Sequence, residues 1–128
     1  MRPIEIYFIR DQKAYIEKFG KKSKSEYVLN VNKLIREKLE SDFVVPNKTQ
    51  AFLLNYEIRK IIDKVINIKN KKYTRLVYLN YNLDYAVALT ALNFLHTTYP
   101  DIQFQAYILE QDGEFAAHST EEIKIVKV

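Results

Sequence analysis

The chain has 128 residues, 48% of them hydrophobic and 28% charged, which is typical of one globular domain with its own core. It has no cysteine, which excludes a disulfide framework and a thiolate metal site, and its two glycines exclude a glycine-rich phosphate loop. The net charge of +4 favours an anionic partner but is also common in proteins that bind none. The N-terminal segment lacks the apolar core of a signal peptide, and we expect a cytoplasmic protein.

The first half of the chain predicts two strands and three helices. Apolar residues recur at helical spacing through Leu54, Ile58 and Ile62, which indicates one long amphipathic helix. In chain order we expect a strand at 4–9, a helix at about 11–19 that Gly20 ends, a strand at 27–31, a helix at 33–39, a connector at 42–46 and a helix at about 47–68.

The stretch 75–110 predicts a strand, a buried helix and a second strand. The apolar run 76–79 stops at Asn80-Tyr81-Asn82, residue types that favour turns and helix caps. From Leu83 to Leu95 nearly every residue is apolar, so we expect a helix that is buried on more than one side. It is too short to span a bilayer, and we expect no membrane association. Alternation over 102–109 predicts the next strand.

The C-terminal part of the sequence predicts an antiparallel hairpin. Asp112-Gly113 is a strong two-residue turn signal, and the tail 123–128 is typical of an edge strand protected by lysines. Residues 1–128 are therefore expected to form a single Rossmann-like α/β domain, with a mostly parallel sheet that finishes in a C-terminal antiparallel β-hairpin.

Polar residues follow three of the predicted strands, at the edge of the sheet where ligands bind in open α/β folds. Amides can read base edges, Arg and Lys can neutralise phosphates, and a tyrosine ring can stack on a base. This group predicts a site for an anionic nucleotide-like ligand. A competing interpretation is a capped helix without a ligand, since Asp84 already supplies a negative charge to the helix after the third strand. The predicted ligand-binding residues are Arg10, Asp11, Lys13, Asn30, Asn32, Lys33, Asn80, Tyr81 and Asn82.

Other chemistry has weaker support in the sequence. His96-Thr97-Thr98 and His118-Ser119-Thr120 are similar to the paired motifs of two-histidine phosphoesterases, but those motifs lie on strands and His96 ends a predicted helix. A histidine there more often compensates the helix dipole. We expect neither metal nor cofactor, and no catalytic residue stands out. The lysines of the basic connector 69–75 interact favourably with the dipole at the C-terminus of the preceding helix, and nucleic-acid binding is a minor alternative for them.

The order of elements resembles that of the small stand-alone CARF-like proteins that accompany type III CRISPR systems. The likeness is carried by Leu76 to Asn80, by the helix that ends in Leu95-His96, by Tyr99-Pro100 and by the tail Glu122 to Ile125. The resemblance implies a homodimer that binds cyclic oligoadenylate across its two-fold axis and either sequesters it or cuts it as a metal-independent ring nuclease. The first strand ends in Phe-Ile-Arg-Asp, without the serine or histidine expected there, which leaves enzymatic activity open.

Two other functions fit the same sequence. The layout of strands and helices is similar to that of a degenerate P-loop polynucleotide-kinase-like domain, which without its Walker loop would be inactive. The terminal hairpin fits that layout poorly, so we rank it second. The third function is that of an interaction or inhibitor protein, which would need only a basic surface and a buried helix.

Overall fold

In the computed structural model, the described residues are 3–20, 26–39, 48–67, 75–115 and 122–128. The connectors expected at 42–46 and 69–74, and His118, lie outside them. The described residues form β1 (Ile4–Ile9), α1 (Gln12–Phe19), β2 (Glu26–Asn30), α2 (Val31–Leu39), α3 (Lys48–Asn67), β3 (Arg75–Leu79), α4 (Tyr85–Thr98), β4 (Phe104–Glu110) and β5 (Ile123–Lys127).

The strands form a single sheet in the order β2-β3-β1-β4-β5, and every neighbouring pair is parallel. Strand β1 lies at the centre, with Ile6 opposite Leu76 of β3 on one side and Ala106 of β4 on the other. Because all strands run the same way, their carboxyl ends meet at one edge of the sheet. The expected Rossmann-like α/β fold is confirmed.

The predicted antiparallel hairpin is wrong. Strand β5 is parallel to β4, with Ile108 opposite Ile125. Asp112-Gly113 does form a turn, in which Gly113 has a φ of 78° and Asp112 Oδ1 accepts from the Glu114 N–H at 3.2 Å. The turn does not close a hairpin, because 12 residues, 111–122, separate β4 from its parallel partner β5, about the length that a parallel crossover needs. The edge position of β5 is confirmed.

The two faces of the sheet carry unequal layers. Side chains that alternate along β1 divide between two cores: Phe8 packs with α2, α3 and α4, whereas Tyr7 packs with α1. This arrangement follows from the right-handedness of crossovers between parallel strands. The chain crosses the sheet in one direction from β1 to β2 and in the opposite direction from β2 to β3 and from β3 to β4, so α1 lies on one face and the later helices lie on the other. Helix α1 is therefore the only described helix on its face.

Helix α4 is less enclosed than the sequence suggests. It begins at Tyr85 rather than at Leu83, and its fully buried residues, Ala88, Ala91, Leu92 and Leu95, form one face against the sheet. The opposite side is exposed at Ala86, Thr90 and Asn93. The expected burial on more than one side is therefore not seen in the single chain.

A cysteine crosslink tests the direction of β5. The native chain has no cysteine, and Tyr107 and Lys124 are direct partners across β4 and β5. We expect the double variant Tyr107→Cys/Lys124→Cys to form a disulfide under mild oxidation, because partner Cα atoms lie within disulfide reach. The pair Tyr107→Cys/Lys127→Cys is the control, since a shift of three residues along β5 adds about 10 Å. Peptide mass spectrometry that found the disulfide only in the control would contradict the parallel pairing.

Candidate functional site

The carboxyl edge of the sheet contains all nine predicted site residues, each at a strand end, in the loop after a strand or in the first turn of the helix that follows. At this edge β3 and β1 are neighbours, but the helices that follow them lie on opposite faces of the sheet. Such a reversal opens a crevice between strand ends, which is where ligands bind in this class of fold. The question is which residues remain available there.

Arg10 closes this crevice instead of lining it. Its Nε donates to the Leu83 carbonyl at 3.0 Å, its guanidinium pairs with Glu114, and it lies 4.7 Å from the centroid of the Phe115 ring. The Asn80 N–H also donates to the Ile9 carbonyl at 3.0 Å. The predicted role of Arg10 as a phosphate ligand would require it to leave these partners.

The end of β4 and the residues after it complete this closure, and no local sequence pattern predicts their role. The buried Glu110 accepts from the Phe115 N–H at 2.6 Å through Oε2, which brings the turn after β4 back over the end of β1. A small cleft of about 80 Å³ remains there, and the residues that line it include Asp11, Glu110 and Asp112 as well as Arg10, whose charge is paired with Glu114. This half of the edge is acidic and unfavourable for a phosphate.

The three described helices that directly follow a strand, α1, α2 and α4, are already capped by side chains. Asp84 is the N-cap of α4. The caps of α1 and α4 are carboxylates, which already compensate the helix dipole, whereas the cap of α2 is a neutral amide. The capping bonds run from Asp11 Oδ1 to the Lys13 N–H (2.8 Å), from Asn30 Oδ1 to the Lys33 N–H (3.1 Å) and from Asp84 Oδ1 to the Val87 N–H (2.7 Å).

An amide cluster joins the ends of β2 and β3. Asn32 Oδ1 accepts from the Tyr81 N–H at 3.0 Å, and Asn80 Oδ1 accepts from the Asn82 N–H at 2.9 Å. Both asparagines are buried, yet neither Nδ2 has a hydrogen-bond partner within the described residues. Leaving a buried donor unpaired costs about 1–3 kcal/mol. We call Asn32, Asn80, Tyr81 and Asn82 the amide cluster.

The remaining predicted residues lie around this cluster or apart from it. Lys33 follows Asn32 in the first turn of α2, and its Nζ is 4.0 Å from Glu37. Lys13 is exposed on α1, and its backbone contact with Asp11 is the helix cap. The structure therefore brings Asn32, Asn80, Tyr81 and Asn82 together and leaves Arg10, Asp11 and Lys13 in separate arrangements.

A cleft of about 220 Å³ lies between α3 and α4, beside the amide cluster. Its walls are mostly apolar, with polar groups from Asn55, Asp84 and Thr90, and Tyr78 reaches it from β3. Burial raises the pKa of Tyr78 to about 12, an effect that the nearby Asn80 amide partly opposes although no hydrogen bond of ordinary geometry joins the two. Tyr78 therefore presents a neutral hydroxyl at neutral pH.

His96 is exposed in the last turn of α4, where its ring centroid lies 5.8 Å from that of Phe104. Within the described ranges, no three His, Cys, Asp or Glu side chains are arranged to hold a metal ion, and no helix there is long and apolar enough to cross a membrane. No family model, curated protein or solved structure matches the chain significantly.

Unfolding measured at alkaline pH tests the burial of Tyr78. Its folded pKa of about 12 exceeds the ordinary value of 10, so the unfolded chain loses the proton first and stability falls as pH rises from 10 to 12. The loss approaches about 2–3 kcal/mol. Burial also raises the pKa of Tyr99 and Tyr107, so the native protein is compared with Tyr78→Phe. Between pH 9 and pH 11 the free energy of unfolding, measured in urea, should fall more in the native protein than in the variant. An equal fall in both proteins would contradict the predicted effect of Tyr78.

The hydrogen bond from the Phe115 N–H to the Glu110 carboxylate should stabilise the folded protein. We expect Glu110→Ala to lower the free energy of unfolding by about 1–3 kcal/mol, because the Phe115 N–H loses its acceptor in a buried position. Glu110→Gln keeps an acceptor oxygen and should lose less. Glu37→Ala, which removes a surface pair, is the control and should change stability by less than about 0.5 kcal/mol. Urea unfolding that ranked the two Glu110 variants equally would count against this role.

Proposed function

We propose that the protein binds cyclic oligoadenylate at the amide cluster, as a homodimer, and sequesters or cleaves it. The observation that carries the proposal is the pair of buried amide nitrogens, on Asn32 and Asn80, that have no hydrogen-bond partner among the described residues. Buried polar groups are nearly always paired, so an unpaired one points to a missing water, ion or ligand. Two such donors at adjacent strand ends suit a ligand with several acceptors.

The cluster has the chemistry that an adenine nucleotide needs. An amide NH₂ donates hydrogen bonds, and adenine nitrogens and phosphate oxygens accept them. The Tyr81 ring, which is 57% exposed, can stack on a base. Because both Nδ2 atoms are buried, the exposed Tyr81-Asn82 turn must shift outward before a ligand can reach them.

The charges at the edge favour the β2–β3 half over the β1–β4 half. Asp11, Glu110 and Asp112 line the cleft at the β1–β4 end together with Arg10, which is paired with Glu114. At the other end Lys33 lies next to Asn32, and the carboxylate of Asp84 is used to cap α4. A cyclic ligand repeats the same nucleoside around its ring and can present equal faces to two copies of one site, as a two-fold dimer requires. The homodimer itself rests on the resemblance to CARF-like proteins.

Cleavage would be a reaction within the ligand. A ribose 2′-OH would attack the adjacent phosphorus and break its bond to the 5′ oxygen, so the protein would mainly hold the geometry and stabilise developing charge. Amide donors can serve the second purpose. No catalytic residue is assigned, and the proposal concerns binding first.

Calorimetry with cyclic tri-, tetra- and hexa-adenylate tests the proposal. We expect one ring to bind with half a ligand per chain, and Tyr81→Ala to weaken binding at least fivefold, as expected for the loss of one base stack. Ile16→Ala is the control, because Ile16 is also a large exposed side chain, at 49%, and lies on α1, across the sheet from the helix that carries Asn32. Its affinity should equal that of the native protein.

Two further readings complete this experiment. Chromatography of the ligand after incubation without metal separates cleavage from sequestration. Absence of binding to every ring at tens of micromolar, with the native protein and both variants folded by circular dichroism, would reject the proposal. Equal loss in both variants would place the ligand elsewhere on the protein.

A second candidate, the kinase-like domain without catalysis, gains from one observation. The antiparallel hairpin was the feature that fitted this layout poorly, and the parallel pairing of β4 with β5 removes it. Against it, Asp11 caps α1 at the end of β1, where a phosphate loop would need to attract an anion. Calorimetry with ATP separates the candidates: ATP binding that Tyr81→Ala leaves unchanged, without binding of any ring, would favour the kinase-like domain.

A further inference from the structure

Helix α3 carries a row of basic and aromatic side chains on its exposed side. Lys48, Phe52, Tyr56 and Lys60 follow one another at intervals of four residues, so they lie along one face of the helix. All four are exposed, Phe52 at 77% and Tyr56 at 56%. We call these four residues the α3 stripe.

Packing within the chain does not explain this stripe. The core face of α3 is formed by Leu54, Ile58 and Ile62, which are almost completely buried and lie on the other side of the helix. Single exposed apolar residues are ordinary, but two large aromatic rings one helical turn apart, flanked by lysines, are an unusual solvent face. A partner that contacts rings and positive charges together would account for it.

The charged side chains of α3 are mainly basic: Lys48, Arg59, Lys60 and Lys64 against Glu57 and Asp63. Both acidic side chains of α3 are engaged: Glu57 lies 3.5 Å from Lys60, and Asp63 accepts from the Tyr99 hydroxyl at 2.7 Å. Within the described residues, no ion pair engages Lys48 or Arg59. The face therefore complements a polyanion. A second copy of the same basic face would be repelled, which argues against a two-fold contact through the stripe.

We propose that the α3 stripe binds single-stranded nucleic acid. Phe52 and Tyr56 would stack on successive bases, and Lys48 and Lys60 would contact the backbone phosphates, the combination that single-strand binding proteins use. Lys60 Nζ lies 5.3 Å from the Tyr56 ring centroid, on one side of the ring, which leaves the other side for a base. Duplex bases are already stacked on each other, so the stripe should prefer a single strand. This activity is independent of the amide cluster.

Fluorescence anisotropy with labelled oligothymidylate tests the aromatic half of the proposal. We expect Phe52→Ala/Tyr56→Ala to weaken binding at least fivefold, because each lost base stack has at least that effect. Phe52→Tyr/Tyr56→Phe keeps both rings and should bind like the native protein. Ile16→Ala is the matched control, since Ile16 is 49% exposed on α1, across the sheet from α3. Circular dichroism checks that every variant is folded.

The salt dependence tests the charged half. We expect Lys48→Gln/Lys60→Gln to reduce the slope of log affinity against log salt by about 1.4, that is, about 0.7 for each lost phosphate contact on a single strand. Lys124→Gln, on the exposed edge strand, should leave the slope unchanged. The aromatic double variant should also keep the native slope while it loses affinity.

Three results would overturn the proposal. They are absence of oligothymidylate binding at tens of micromolar, equal affinity for a duplex, and native affinity in the Phe52→Ala/Tyr56→Ala variant. Oligothymidylate contains no adenine, so these outcomes are independent of whether cyclic oligoadenylate binds at the amide cluster.

Discussion

The parallel pairing of β1 between β3 and β4 is the constraint on which the rest of the structure depends. It forces Phe8 and Tyr7 into separate cores on the two faces of the sheet, and it brings every strand end to one edge. Hydrogen bonds between the β1 and β3 segments continue beyond the strands, because the Asn80 N–H donates to the Ile9 carbonyl and the Arg10 Nε donates to the Leu83 carbonyl. As a result, the crevice expected between β3 and β1 is held shut by protein groups.

This closure divides the carboxyl edge into two unlike halves. On the β1–β4 side, Arg10 lies between Glu114 and the Phe115 ring, and its positive charge is used within the fold. On the β2–β3 side, the groups that converge are neutral amides with unsatisfied donors. A nucleotide therefore finds hydrogen bonding and stacking on one half and negative charge on the other, which is why we locate the proposed site on the amide cluster alone.

Periodicity and helix-ending residues predicted most of the elements, because these signals act within a few residues. Gly20 ends α1 as expected, with a φ of 78° and its N–H bonded to the Ile16 carbonyl at 2.7 Å. The direction of β5 could not be predicted in the same way, because the Asp112-Gly113 turn signal is local and strand direction depends on where the chain goes afterwards. The pairing of Arg10 with Glu114 joins residues 104 positions apart, and no sequence pattern marks it.

The asparagines of the amide cluster show what sequence and structure each contribute. Each side-chain oxygen has a structural purpose, since it accepts a backbone N–H of the turn after β3. An aspartate would supply the same acceptor but would bring a buried charge, which is far more costly than an unpaired amide nitrogen. The turn alone therefore explains why an amide is present at Asn32 and Asn80. What it leaves unexplained is that neither Nδ2 donates to any group in the described part of the chain, and a penalty of about 1–3 kcal/mol for each is considerable beside a net stability of about 5–15 kcal/mol. A ligand or water that accepts from both nitrogens would recover that energy, and only a ligand would also use the exposed Tyr81 ring next to them.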